Sequence, residues 1–345
     1  MRRIVVVRGG ALGDLILTLP ALAALRRAFP QAHITLIGSA PGRLLTLGRG
    51  YADAFWPLDA DWLGGLFDPA GRQPPALDPR PDLAIVWLRT PEPAIRYFTA
   101  LGVEHLLAAD PLPPEDSPLH VADHLLATLA PLGLPAVDPV PQIPLTDQER
   151  VAATALWRRL GLSPEQTIAV HPGSGSRFKN WPAERFAVLV ERLLAAGWNV
   201  VLVAGPADTA PLATLQAAGL GVPVLQDQPL LVLGAFLARC RAFIGHDSGV
   251  THLAAAVGAP TLALFGPTAP WRWAPRGLAV RILWRAEPCA PCTPTLRAAC
   301  PHRRCLTALT VEAVLADLQA LLTTTAGPAE PSHQDRGLRR ADPTA

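Results

Sequence analysis

Lysine is all but missing from this chain. Of its 30 basic residues 29 are arginine, and the one lysine is Lys179. Charge of one sign is missing too: the net charge is +2, which gives no reason to expect a nucleic-acid partner. No segment reaches the roughly 18 consecutive apolar residues of a membrane span. The apolar run at residues 15–25, behind Arg2 and Arg3, imitates a leader peptide only faintly, because Arg8 and Asp14 interrupt what would have to be the leader's apolar region. These absences point to mature, cytoplasmic structure. Cysteine is sparse at five, and four of the five fall late, as C-x2-C-x7-C-x4-C at Cys289, Cys292, Cys300 and Cys305. A metal site, a disulfide and neither all remain open for that spacing. A dinucleotide fingerprint is also lacking: Gly9-Gly10-Ala11-Leu12-Gly13 has the wrong glycine spacing, and no acidic residue closes the second strand.

At 345 residues, half of them apolar, the chain is long for one core, and two domains are expected. Apolar runs predict parallel, buried strands at residues 4–7, 34–37, 83–88, 167–170, 199–204, 242–245 and 261–265. Helices are expected at 15–29, kinked by Pro20, and at 120–132, 149–160, 182–196, 250–257 and 310–322. Residues 53–81 read as irregular, and His120 and His124 as a helix surface. Four prolines in 135–144 mark the linker, dividing the chain into domains 1–145 and 146–322 and a disordered tail, 323–345.

Lys179 belongs to His-Pro-Gly-Ser-Gly-Ser-Arg-Phe-Lys-Asn-Trp, directly after a strand and before a helix. A compact ammonium fits among phosphate oxygens where a planar guanidinium asks for a flat partner. A Gly/Ser loop between strand and helix grips phosphate on backbone N–H groups, here around Ser174, Gly175 and Ser176. A second constellation, His-Asp-Ser-Gly-Val-Thr-His at 246–252, sits at another strand-to-helix passage. Gly249 opens the backbone to a ligand, while Ser248 and Thr251 supply hydroxyls and His252 an imidazole. Asp247 suits the hydroxyls of a sugar attached to a diphosphate. Asp14 sits at the carboxyl end of the first strand, where it serves either as a helix-start partner or as a base. Read together, the second half grips a nucleotide-diphosphate donor and the first offers a lone carboxylate. That division suits transfer to a hydroxyl, with Lys179 and helix N-termini meeting the leaving charge. Asp59-Ala60-Asp61 imitates a metal-binding pair, but the pattern is too short to carry weight.

As a set, Gly-Ala-Leu-Gly-Asp (10–14), His-Pro-Gly-Ser-Gly with Lys179 and Trp181, Asp-Ser-Gly-Val-Thr-His-Leu-Ala (247–254), Gly258-Ala-Pro-Thr and Phe265-Gly-Pro-Thr resemble glycosyltransferase family 9, the ADP-heptose lipopolysaccharide heptosyltransferases. The resemblance runs over residues 1 to 320. It implies an α/β chain of the GT-B class: two facing Rossmann-like domains with parallel sheets and an interdomain cleft. It further implies inverting, metal-independent transfer, with ADP-heptose as donor substrate and no cofactor. Asp14 would be the base, Lys179 the phosphate ligand and Asp247 the donor-sugar contact. Where the family has a Glu for the ribose, Asp208 is the nearest candidate. The late cysteines also look like a cluster common in the family. The acceptor would be a lipid-linked oligosaccharide, which brings the protein to the inner membrane face as a peripheral visitor. Gly13, Arg43 and Arg89, with Arg49 and Arg96, are candidate acceptor contacts. Two other readings stay open: a transferase or epimerase on another nucleotide sugar, and a non-catalytic nucleotide-sugar binder.

Overall fold

The computed structural model describes residues 1–60, 63, 77 and 79–325. Among these, β1 (Arg3–Arg8), β2 (His33–Gly38), β3 (Ala54–Pro57), β4 (Leu83–Trp87) and β5 (His105–Ala109) form one parallel sheet, ordered β3-β2-β1-β4-β5. A second parallel sheet holds β6 (Thr167–Val170), β7 (Asn199–Ala204), β8 (Val224–Gln226), β9 (Ala242–His246), β10 (Thr261–Phe265) and β11 (Val280–Trp284), ordered β11-β10-β9-β6-β7-β8. Helices cover both faces, so the inner strands are apolar on both sides and read as continuous runs. The strand order reverses between β1 and β4 in one sheet and between β6 and β9 in the other. Such reversals open a crevice at the strand carboxyl ends. The loops after β1, β6 and β9, which carry the motifs, start at those two points.

The expected first helix is two helices, Leu12–Ile16 and Leu19–Ala28, with Pro20 in the first turn of the second. Proline lacks the N–H that a continuous helix would use, and the first turn leaves that group spare. His120 is not on a helix surface. It precedes the helix Val121–Ala127 as its cap, buried, its Nδ1 accepting from Ala122 N–H at 3.2 Å. Thr146 and Glu149 form a capping box at the start of helix Asp147–Leu160, just past the proline-rich connection.

The two halves meet through helices. Helix Leu12–Ile16 lies on helix Gly249–Ala256 at a pair of reciprocal glycines. A Cβ on Gly13 would fall 3.1 Å from His252 Cδ2, and one on Gly249 2.8 Å from Leu12 Cβ. Leu231, Leu253 and Ala256 of the second half join the same buried cluster as Ile4, Leu15 and Leu22. Around this apolar seam, Arg276 forks onto Asp123 at 2.7 and 2.5 Å, and His120 Nε2–H donates to the carbonyl of Ala274 at 2.9 Å. Arg49 is paired with Glu149 and with the carbonyl of Pro144, so this candidate acceptor contact is held in the seam. Among the described residues no helix is long and apolar enough to cross a membrane. Of the tail expected at 323–345, residues 323 and 324 belong to the helix Val311–Thr324, and those beyond 325 lie outside the described residues.

Candidate functional site

Asp14 is the third residue of helix Leu12–Ile16, and its carboxylate serves that helix. Its Oδ2 accepts from Ala11 N–H at 2.9 Å. Gly10, at φ +130°, makes this approach possible, since a Cβ there would stand 2.7 Å from Asp14 Cβ. Oδ1 is left facing Arg8 Nη2 at 3.6 Å. Arg8 is almost wholly buried, with Nε on Thr18 Oγ1 at 3.2 Å and Nη1 on the carbonyl of Gly9 at 2.6 Å. Burial pulls its guanidinium below its usual range, opposed by the charges of Asp14 and Asp110. An open cavity of about 410 Å³ adjoins this pair, walled by Trp87, Leu112 and Arg89 and closed from the second domain by Trp273.

The second half presents a denser arrangement. Lys179 sits in a single 3₁₀ turn, Arg177–Lys179, with Nζ 2.8 Å from Asp247 Oδ2. Thr268 Oγ1 donates to the same oxygen at 2.8 Å. Beneath them lies a row of buried imidazoles. His246 Nδ1–H donates to the carbonyl of Gly173 at 3.1 Å, and its Nε2 accepts from Trp181 N–H at 2.7 Å. That arrangement suits the neutral ring, and burial pulls its pKa down to about 4. His171 Nε2–H donates to Asp208 Oδ2 at 2.9 Å, and its Nδ1 lies 3.4 Å from Ser248 Oγ. Ser248 caps helix Gly249–Ala256 and stands 3.0 Å from Thr251 Oγ1, which donates to the carbonyl of His246.

Asp208, the expected ribose ligand, is turned inward. It is buried, with Oδ2 taken by His171 and by Gly205 N–H at 2.7 Å. Gly173 covers the other oxygen so closely that a Cβ there would lie 1.8 Å from Oδ1. Burial works to raise this carboxyl's pKa, yet His171 and Gly205 N–H more than offset it and leave it below the usual range. The position gives Asp208 a bracing role between two loops. Ser174 is likewise an inner brace, its Oγ 2.6 Å from Asn180 Oδ1, while Gly175 is exposed and Ser176 half-buried.

His252 joins the two regions. It packs against Gly13, and its Nδ1 is buried without a hydrogen-bond partner. Burial lowers its pKa, Asp247 and Asp14 pull the other way, and Lys179 adds to the lowering. One imidazole therefore feels the Asp14 carboxylate and the Lys179–Asp247 pair together. Arg89 lines the cavity beside Asp14, whereas Arg43 is exposed on helix Pro41–Thr46. Sequence reasoning overlooked Arg8, His171, Thr268 and Trp273. The one available signal was position: Arg8 is the polar end of β1 and His171 directly follows β6, where sheets of this type bind ligands.

All five cysteines are free thiols. Cys289, Cys292, Cys300 and Cys305 line one nearly filled space with His302, under Phe178 and Pro267. Among the described residues no three or more acidic, His or Cys side chains are arranged to hold a metal. This segment is tied to the turns that carry Thr268 and Lys179. Cys292 N–H donates to the carbonyl of Pro267 at 2.8 Å, and Arg303 donates to that of Arg177 at 3.1 Å. Of the weak acidic pair, Asp59 is exposed and Asp61 lies outside the described residues.

The sequence profile of glycosyltransferase family 9 (heptosyltransferase) matches residues 84–301. Lipopolysaccharide heptosyltransferase 1 of Pseudomonas aeruginosa is 38% identical over 142 residues, which is 38% of this chain and 40% of that relative. The match thus spans well under two thirds of the relative's length. Among solved structures, a family 9 glycosyl transferase of Veillonella parvula superposes with a TM-score of 0.77 at 23% identity, covering 94% of this chain and 98% of that one. ADP-heptose lps heptosyltransferase II of E. coli follows at 0.71 and 22%, covering 94% and 99%. At such identity the structures speak for a shared fold, the two-domain GT-B arrangement.

Proposed function

The chain belongs to glycosyltransferase family 9, the heptosyltransferases, and from that premise we propose that it moves a heptose from ADP-heptose onto a hydroxyl of a lipopolysaccharide inner-core acceptor. The observation that carries the reading is the packing of the helix that bears Asp14 on the helix that opens behind Asp247, where His252 meets Gly13, with Lys179 paired to Asp247. In the proposed step the acceptor hydroxyl gives its proton to Asp14 Oδ1 as its oxygen bonds to the anomeric carbon. The bond from that carbon to the diphosphate breaks on the opposite side, which inverts the centre, and ADP departs. Lys179 exchanges Asp247 for the diphosphate, and Asp247 turns to the sugar hydroxyls. The N-terminus of helix Gly249–Ala256 adds a partial positive charge toward the phosphates. Cationic help then comes from the chain itself, so transfer requires no metal on this reading. Ser176, Gly175, Ser248 and Thr251 complete the donor side, and Gly13, Arg43 and Arg89 belong to the acceptor side. Two domains divided near residue 145 carry these roles. A lipid-linked acceptor places the protein in the cytoplasm, at the inner membrane face. The Pseudomonas relative and the E. coli structure, named for lipopolysaccharide heptosyltransferases, support this choice of donor and acceptor.

Calorimetric titration with ADP, ADP-heptose, UDP and GDP tests the reading. Adenine ligands should bind in preference, and Lys179→Ala should weaken them by about 1.5–3 kcal/mol, the range for a hydrogen bond to a charged group. A preference for UDP or GDP would discard the heptose, and transfer abolished by a chelator would discard metal independence.

A further inference from the structure

The three nitrogens of Arg8 have different fates. Nε and Nη1 are held by Thr18 and by the carbonyl of Gly9, whereas Nη2 is buried with no hydrogen-bond partner at all. An unmet buried donor is unfavourable, and more so on a cation. A carboxylate that could satisfy it stands 3.6 Å away, at Asp14 Oδ1. A small movement would close a forked pair, the preferred geometry for these partners. The tethers hold the fork back. Thr18 serves twice here, since its hydroxyl also donates to the backbone carbonyl of Asp14 at 2.8 Å and so fixes both residues to one helical turn.

Asp14 has one oxygen to spare. Its Oδ2 already accepts from Ala11 N–H at 2.9 Å, so Oδ1, which accepts no hydrogen bond, is the freer oxygen for a proton. A hydrogen bond from Arg8 to Oδ1 would occupy that lone pair. The other charged groups in reach are Asp110, acting on Arg8, His252, acting on Asp14 from the second domain, and Arg89 on the cavity wall.

We propose that Arg8 is a positioning residue for the transfer reaction, tethered by Thr18 and Gly9 so that its charge faces Asp14 while its Nη2 stands too far off to occupy Oδ1. The inference rests on Asp14 acting as the base.

Transfer kinetics across pH, with ADP titration, on wild type, Arg8→Gln, Arg8→Lys and Thr18→Val test this. Arg8→Gln should lower kcat at least thirtyfold, leave the ADP affinity within twofold, and move the acidic limb of the kcat profile to higher pH. Arg8→Lys, which keeps the charge, should restore the limb and much of the rate. Thr18→Val frees the fork to close on Oδ1 and should lower kcat without moving the limb to higher pH. Arg8→Gln with a wild-type rate and profile overturns the proposal, as does a loss of rate in Arg8→Lys equal to that in Arg8→Gln. If Arg8→Gln does not fold, the Thr18→Val and Arg8→Lys results decide. A wild type that transfers from no donor would instead remove the role of Asp14 itself.

Discussion

The loop after β1 and the loops after β6 and β9 sit at equivalent points of two similar sheets, yet they are built in opposite ways. Around Asp14 the polar groups are few and incompletely matched: one carboxylate oxygen is spare, one guanidinium nitrogen is unpaired, and a cavity lies beside them. Around Lys179 and Asp247 the polar groups interlock, with His246, His171, Asp208, Ser248 and Thr251 each serving a neighbour. A group that must take a proton needs an unspent lone pair. A surface that must hold a diphosphate gains from loops already fixed in place, because less ordering remains to oppose binding. On the proposed function, the contrast separates chemistry from grip.

The largest effect should come from spending that lone pair. Asp14→Asn keeps the shape and the contact with Ala11 N–H but removes the proposed base. We expect kcat to fall by about 10²–10⁴-fold, the range for general-base catalysis, with ADP affinity unchanged. A variant that lost ADP binding in proportion would break the division of labour between the two regions.

Next in size is a pH effect centred on the interlocked region. His246 is buried and neutral, with its pKa pulled from the ordinary 6.5 to about 4 by burial. The unfolded chain therefore takes up the proton first as pH falls. Stability should be whole above about pH 6.5 and decline down to about pH 4, at up to ~1.4 kcal/mol per pH unit for each such group. His120, also held near 4 by burial, adds to the same window at the domain seam. Urea midpoints measured across that window give the total. Exchange of the Trp181 amide, which donates to His246 Nε2 at 2.7 Å, reports the donor region alone. Unchanged protection of that amide from pH 6.5 to 4 would mean that the imidazole row is not the brace described here.

The same contrast explains what could be read from sequence. All seven strands expected from apolar runs lie inside the two sheets, where both faces are covered. The four that escaped, β3, β5, β8 and β11, are the sheet edges, whose half-exposed residues break the run. The motifs were legible because glycines and hydroxyls mark strand-to-helix passages whatever lies across from them. Partners were not legible. Nothing in the order of residues says that Asp208 turns inward to His171, or that Lys179 rests on Asp247, since each pair joins distant segments. Arg8 stood out only as a charge that interrupts a leader-like apolar region, and its meaning depends on Thr18 and Asp14 folding back over it.

The smallest effect probes the seam that joins the two regions. Gly13 and Gly249 let two helices approach, and an alanine at either should cost about 1–3 kcal/mol by overpacking. The two positions should differ. At Gly249 the new Cβ would meet Leu12 Cβ at 2.8 Å, an atom fixed to the backbone of helix Leu12–Ile16, so that helix must move. At Gly13 it would meet the edge of the His252 ring at 3.1 Å, and the ring can give by a few tenths of an ångström. Gly249→Ala should therefore lower the melting temperature more than Gly13→Ala. It should also lower transfer more than ADP binding, because it displaces Asp14 from the donor while leaving the interlocked loops in place. Equal losses in both variants, or a loss of ADP binding that matches the loss of transfer in Gly249→Ala, would mean that the seam and the donor loops are one unit.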